Sequence, residues 1–297
     1  MSAEHIEVAA ARSTTWFPRW KPAVARRFLV GVAVIFFSVI PGNAQGGSGA
    51  PKDDTQGNAV ARRPQARSEQ ERADFKAAYA LTGAATEESA AMDFANKYPT
   101  SELRRYLYSS AMVQYQRENN PAKMLAMGER VLALDPENPL ALVLTATVLA
   151  DSLGDRDRDR EKKISAIKHN ASRAIQAAEA GYTDSSAGAA VYKTTLQSMA
   201  YCALGIMKLK TGDDAGAEKD LKAATELAKI RPDGYAWYHL ALAQDHRKKY
   251  AAALGSVEQA LQLASSDPEL QKLAEVEHER LTGLAKGPRN GSPTEPQ

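Results

Sequence analysis

Between Glu71 and Ala285, apolar residues recur every three to four positions, with Lys, Glu, Gln and Asp between them. That is the spacing of amphipathic helices. No run alternates apolar and polar residues for long enough to predict a strand. Turn chemistry interrupts the pattern at Thr82-Gly83, Tyr98-Pro99, Asn119-Asn120-Pro121, Asp135-Pro136, Thr211-Gly212-Asp213, Arg231-Pro232-Asp233-Gly234 and Asp267-Pro268. Most segments between these breaks are about 12–16 residues long, which predicts an all-α chain of helical hairpins.

The chain also repeats itself. Tyr201 pairs with Trp237, Leu204 with Leu240, Gly205 with Ala241, Ala217 with Ala253, Leu221 with Val257, Ala224 with Ala260 and Leu227 with Leu263, always 36 residues apart. A fixed period of this length is the mark of a repeat architecture. An aromatic and a Leu on the first helix fill the space between neighbours. Gly or Ala lets the two helices of a hairpin approach closely, and Ala on the second helix admits the next hairpin.

On these residues the chain resembles the tetratricopeptide repeat family. The resemblance is best over Met199–Pro268 and recurs in Arg105–Pro136, through Tyr108, Ala111, Tyr115, Met124, Val131 and Leu132–Pro136. Met112 departs from it, standing where the family favours a small residue. A further unit begins at Pro139, with Leu142 and Ala146 on its first helix and Ala171, Ile175 and Ala178 on its second. Its register is restored if the 13 residues Asp151–Lys163 are one extended loop. The first hairpin, Glu71–Tyr98, is degenerate, and Phe94–Pro99 resembles the repeat endings of bacterial envelope proteins. Glu269–Ala285 is read as a capping helix. The resemblance covers about 215 of 297 residues. It implies a right-handed α-solenoid over residues 71–285 and says almost nothing about a ligand.

In that family the first helix of each pair lines the inner, concave wall. The resemblance therefore implies a peptide- or protein-binding wall carrying Tyr106, Ser109, Val113, Gln116 and Arg117, then Leu140, Val143, Thr147 and Asp151. Met199, Cys202, Ile206 and Lys210 follow, and Tyr235, Tyr238, Leu242 and His246 complete it. Some relatives grip a C-terminal carboxylate with Lys, Asn and Arg on these faces. Here the faces are mostly apolar and aromatic, so an extended or helical peptide held by side-chain pockets fits better. Alternatively, the capping helix or another subunit covers the wall.

Charge narrows the class of partner. The net charge is +2, of which residues 1–44 carry +3 and the remainder −1. A near-neutral body argues against a nucleic-acid surface, which needs clustered positive charge. At the N-terminus, Arg26 and Arg27 precede a 13-residue apolar run, Phe28–Ile40, and then Pro41, Gly42, Asn43 and Ala44. This predicts a signal peptide cleaved after Ala44 and an exported, periplasmic or secreted protein. An uncleaved anchor is the alternative, although the run is shorter than the roughly 20 apolar residues of a spanning helix. Residues 45–70 read as a disordered linker and 286–297 as a disordered tail.

The remaining chemistry is sparse. One cysteine, Cys202, excludes an intrachain disulfide and any multi-thiolate metal site. His239 and His246 could share a helix face, with no third ligand legible nearby. Asp155, Asp157 and Asp159 resemble the start of a calcium loop, but Arg160 and Ala166 replace the Gly and Glu it requires. Gly212–Gly216 lacks the Lys of a phosphate loop. Alternating Arg and Asp in the insert predict a solvated, self-neutralised loop. The sequence thus predicts a non-catalytic binding scaffold of the bacterial envelope with no cofactor. Two alternatives remain open: a membrane-anchored structural subunit, and an all-helical hydrolase with carboxylates converging in a cleft.

Overall fold

The computed structural model describes residues 64–181 and 187–285. The predicted signal segment, the linker up to residue 63 and the tail from 286 lie outside the described residues. Eleven helices and no strands occur among the described residues. They are α1 (Glu69–Tyr79), α2 (Ala84–Lys97), α3 (Arg104–Arg117), α4 (Pro121–Leu134), α5 (Pro139–Ser152), α6 (Arg160–Gly181), α7 (Ala187–Thr211), α8 (Asp214–Leu227), α9 (Gly234–His246), α10 (Tyr250–Leu263) and α11 (Pro268–Ala285). Each packs on the next, so the chain is an all-α solenoid of five hairpins closed by α11. The first helix begins at Glu69, two residues inside the predicted linker.

The predicted breaks supply the caps. Asn120, Asn138, Asp213, Asp233 and Asp267 each accept a hydrogen bond from a backbone N–H in the first turn of the helix that follows. The turn inside a hairpin is the same in three units. Asn119, Gly212 and Lys248 take left-handed backbone, with φ of 55°, 82° and 59°. The residue after each donates to a carbonyl five positions back, Asn120 to Tyr115, Asp213 to Lys208 and Lys249 to Gln244, at 2.9 Å in all three. This is a helix C-cap repeated in register.

Small residues sit at the crossings as the repeat predicts. Ala217, Ala224, Ala241, Ala253 and Ala260 are fully buried. A Cβ added to Gly205 would lie 2.5 Å from the Leu221 Cγ. The Met112 departure also has its explanation here. A Cβ on Gly128 would lie 3.4 Å from the Met112 Sδ and 2.6 Å from the Thr145 Cγ2. The unit at α3/α4 therefore puts the large side chain on its first helix and the small one on its second. The unit at α7/α8 does the reverse.

The insert differs from the sequence expectation. Only residues 153–159 form a loop, and the rest of the insert ends α5 and begins a 22-residue α6. Nor is it simply solvated. Asp157 accepts from the Gly154 N–H at 3.0 Å and from Lys163 Nζ at 2.8 Å, and Arg160 reaches the Lys210 carbonyl on α7 at 2.6 Å.

The first hairpin is the weakest joint, as its degenerate pattern implies. Asp74 on α1 holds α2 through Lys97 Nζ and the Tyr98 hydroxyl, each at 2.6 Å. These donors keep its carboxyl down at about 2. A carboxyl lowered on folding contributes stability above its unfolded value near 4 and loses it as pH falls to the folded value. Between pH 4 and pH 2, α1 is expected to lose amide-exchange protection before α7 does. Equal loss along the chain would contradict this role for Asp74.

Candidate functional site

Successive first helices touch along one side, at α1–α3, α5–α7, α7–α9 and α9–α11, and most closely at α5–α7. Between α3 and α5 contact is at most marginal. Contact between successive first helices is thus slight everywhere except at α5–α7, where it is extensive. Residue exposure differs along the predicted wall.

On α3, Tyr106, Ser109 and Val113 are half-buried and Arg117 is exposed, while Gln116 is buried. Tyr106 stands edge-on to Phe75 of α1, with ring centroids 6.3 Å apart, and the Arg105 guanidinium lies 5.1 Å from its ring centre. Phe75 in turn stacks on the exposed Tyr79. The N-terminal part of the wall is thus an aromatic surface with cationic neighbours. The sequence reading missed Phe75 and Tyr79, because the degenerate first hairpin gave no register from which to place them.

Further along, Leu140, Val143 and Thr147 of α5 are buried, as are Met199, Cys202 and Ile206 of α7 and Tyr235 and Tyr238 of α9. Leu242 is half-buried, and His246 is exposed with its Nδ1 2.9 Å from an Asp214 carboxylate oxygen. Tyr238 faces the capping helix, where burial, with the negative charge of Glu277 adding to it, pushes its hydroxyl pKa up. Arg280 of α11 joins Asp245 of α9 at 2.5 Å and Glu277 at 2.6 Å. The capping helix therefore bonds to the last first-helix of the array.

A polar cluster occupies the centre. The Tyr235 hydroxyl on α9 donates to Asp151 Oδ1 on α5 at 2.9 Å. Lys210 Nζ on α7 donates to the carbonyls of Ala150 and Asp151, at 2.9 and 2.6 Å. Burial raises the Asp151 carboxyl to about 6, with the Lys210 charge pulling the other way. Burial raises Asp233 to about 6 against the backbone N–H groups of Tyr235 and Ala236. It lowers Lys210 to about 8 against the surrounding aspartates, and lowers His239 to about 3 with the Lys210 charge adding to it. The His239 imidazole is therefore neutral at physiological pH. The Cys202 thiol is pushed well up, first by burial, so it is a weak nucleophile.

Clustered pKa shifts often mark reactive sites, but ion networks that hold a fold together produce them too. Here each carboxylate has a structural task. Asp151 ties α5 to α9, and Asp233 caps α9. A hollow of about 290 Å³ between α1 and α2 is lined by Asp74, Phe94, Lys97 and Tyr98 among others. Of its polar groups, Asp74, Lys97 and Tyr98 already bond to one another.

Among the described residues, no group of three His, Cys, Asp or Glu side chains could hold a metal ion. No helix among them is long and apolar enough to cross a membrane. Compared with known proteins, the chain matches no family model and no curated protein.

Proposed function

We propose that this protein is a non-catalytic interaction scaffold of the tetratricopeptide-repeat type. It binds a peptide or protein partner on the inner face of its solenoid. The observation that carries this reading is the accessible stretch of α3, with Tyr106, Ser109 and Val113 half-buried and Arg117 exposed, next to the aromatic pair Phe75 and Tyr79. Three hairpins with the same left-handed turn and a 36-residue spacing of small residues support the family reading. Aromatic side chains and Arg are the groups that dominate protein recognition. The basic and apolar N-terminal pattern, ending at Ala44, supports export to the periplasm or beyond.

Site-specific photo-crosslinking in living cells tests the binding surface. A crosslinker at Val113 or Arg117 is expected to capture a discrete partner that crosslinkers at Gln176 and Lys222, on second helices, do not. Identical capture at all four positions would sink the assignment of the wall. N-terminal sequencing of the mature protein tests export, with Gln45 the expected first residue.

A further inference from the structure

In a solenoid each repeat is expected to touch only its neighbours. The hydrogen bond from Tyr235 to Asp151 breaks that rule, because it joins the hairpin of α9 directly to that of α5, across 84 residues of chain. We propose that this bond is a clasp that fixes how the α9/α10 hairpin sits against α5 and keeps Cys202 of α7 covered.

Three further contacts back the clasp. Lys210 of α7 sits on the last carbonyls of α5, at Ala150 and Asp151. Arg160 of α6 sits on the Lys210 carbonyl, the equivalent place at the end of α7. Each cation meets the negative end of a helix, where the final carbonyls have no partner within the helix. Tyr235 itself is held in place from behind. Its backbone N–H is bonded to the Asp233 carboxylate at 2.9 Å, and its ring packs edge-on against His239, with centroids 4.4 Å apart. Helices α5, α6, α7 and α9, from three successive hairpins, are therefore linked through Asp151 and Lys210.

Releasing the clasp lets the α9/α10 hairpin swing away from α5, hinged at α8–α9, where adjacent packing continues. That motion uncovers Cys202 on α7, which lies beside Tyr235 and Asp233 and is 1% exposed with the clasp closed. If the inner wall is the binding surface proposed above, the closed clasp withholds the part of it around Cys202.

Cys202 is the chain's single thiol, it lies on α7 beside the clasp, and its exposure is 1%. Its labelling by a maleimide in the full-length protein therefore reports opening, and no partner is needed. Tyr235→Phe removes one hydroxyl and keeps the ring. A hydrogen bond to a charged group is among the stronger ones in a protein, so the labelling rate is expected to rise at least tenfold. The rise should depend only weakly on urea, as a partial opening exposes little surface. Asp151→Asn keeps an oxygen to accept the hydroxyl and is expected to raise the rate less than Tyr235→Phe.

Tyr115→Phe removes a similar hydroxyl bond, to Glu88 in the neighbouring hairpins, and is expected to leave the rate unchanged. A Tyr235→Phe rate within twofold of the parent overturns the clasp. So does a rise with the urea dependence of global unfolding, or an equal rise in Tyr115→Phe. The crosslinking result at Val113 is independent of all three.

Discussion

Gly205→Leu is expected to destabilise the protein by about 3 kcal/mol or more in urea denaturation, through overpacking of a full core. The first added carbon alone would lie 2.5 Å from the Leu221 Cγ, and Leu221 is itself fully buried. A clash with a branch carbon in the middle of a packed side chain cannot be relieved by a swing of its tip. The milder Gly205→Ala meets the same contact but gains about 1 kcal/mol of helix propensity, so it is expected to cost less. Leu221→Ala on its own leaves a cavity and is expected to cost about 2–5 kcal/mol. The combination Gly205→Ala with Leu221→Ala should cost less than the two separate effects added, because the new methyl enters the space that Leu221 vacates. Strict additivity would show that the two residues do not share a crossing.

Leu144→Ala is expected to cost about 2–5 kcal/mol, the range for a Leu in a core that relaxes only partly. Leu144 has no exposed surface, and every residue from Leu140 to Val148 is buried. A helix apolar on all sides belongs inside its domain. The reason here is local: α5 is covered by α4, α6 and α7 together. Leu254 on α10 is half-buried, and Leu254→Ala is expected to cost less than half as much. The measurement is a pair of urea titrations read by circular dichroism. Equal losses for the two would mean that α5 is no more central than the ends of the array.

The hairpins were legible because their punctuation is chemical. Asn120-Pro121, Gly212-Asp213 and Asp267-Pro268 stop one helix and cap the next, and the structure places helix ends at each. The small residues at 36-residue spacing were legible for the same reason, since only Gly or Ala fits where backbones nearly touch. Helix α7 was harder to delimit. Its 25 residues contain no proline and only weak amphipathic contrast, so periodicity alone set no start. The 13-residue insert was read as a loop because removing it restores the repeat register, but Arg160 and Lys163 lie inside helix α6, which absorbs part of the extra length.

The placement of the predicted wall residues on first helices was legible, and their exposure was not. That Tyr106 and Tyr235 occupy first helices follows from register. That Tyr106 stays half-open while Tyr235 is buried against Asp151 depends on which helices meet across the array. Such long-range meetings are the sum of many small packing choices, and no short stretch of sequence encodes them. The first hairpin shows the opposite limit. Its pattern is too worn to give a register, so Phe75 and Tyr79 came to light only through their ring contacts with each other and with Tyr106.

The opposed placement of Met112 with Gly128 and of Gly205 with Leu221 bears on how such a chain can lengthen or shorten over generations. Repeat genes recombine unequally, and interchangeable units tolerate the result. Joining α3 to α8 here would set Met112 against Leu221, two bulky side chains in a space shaped for one. Joining α7 to α4 would set Gly205 against Gly128 and leave a void. These two hairpins are thus each keyed to their own second helix. Exchange of a whole hairpin keeps its matched pair together, whereas a join inside a hairpin separates large from small and costs packing.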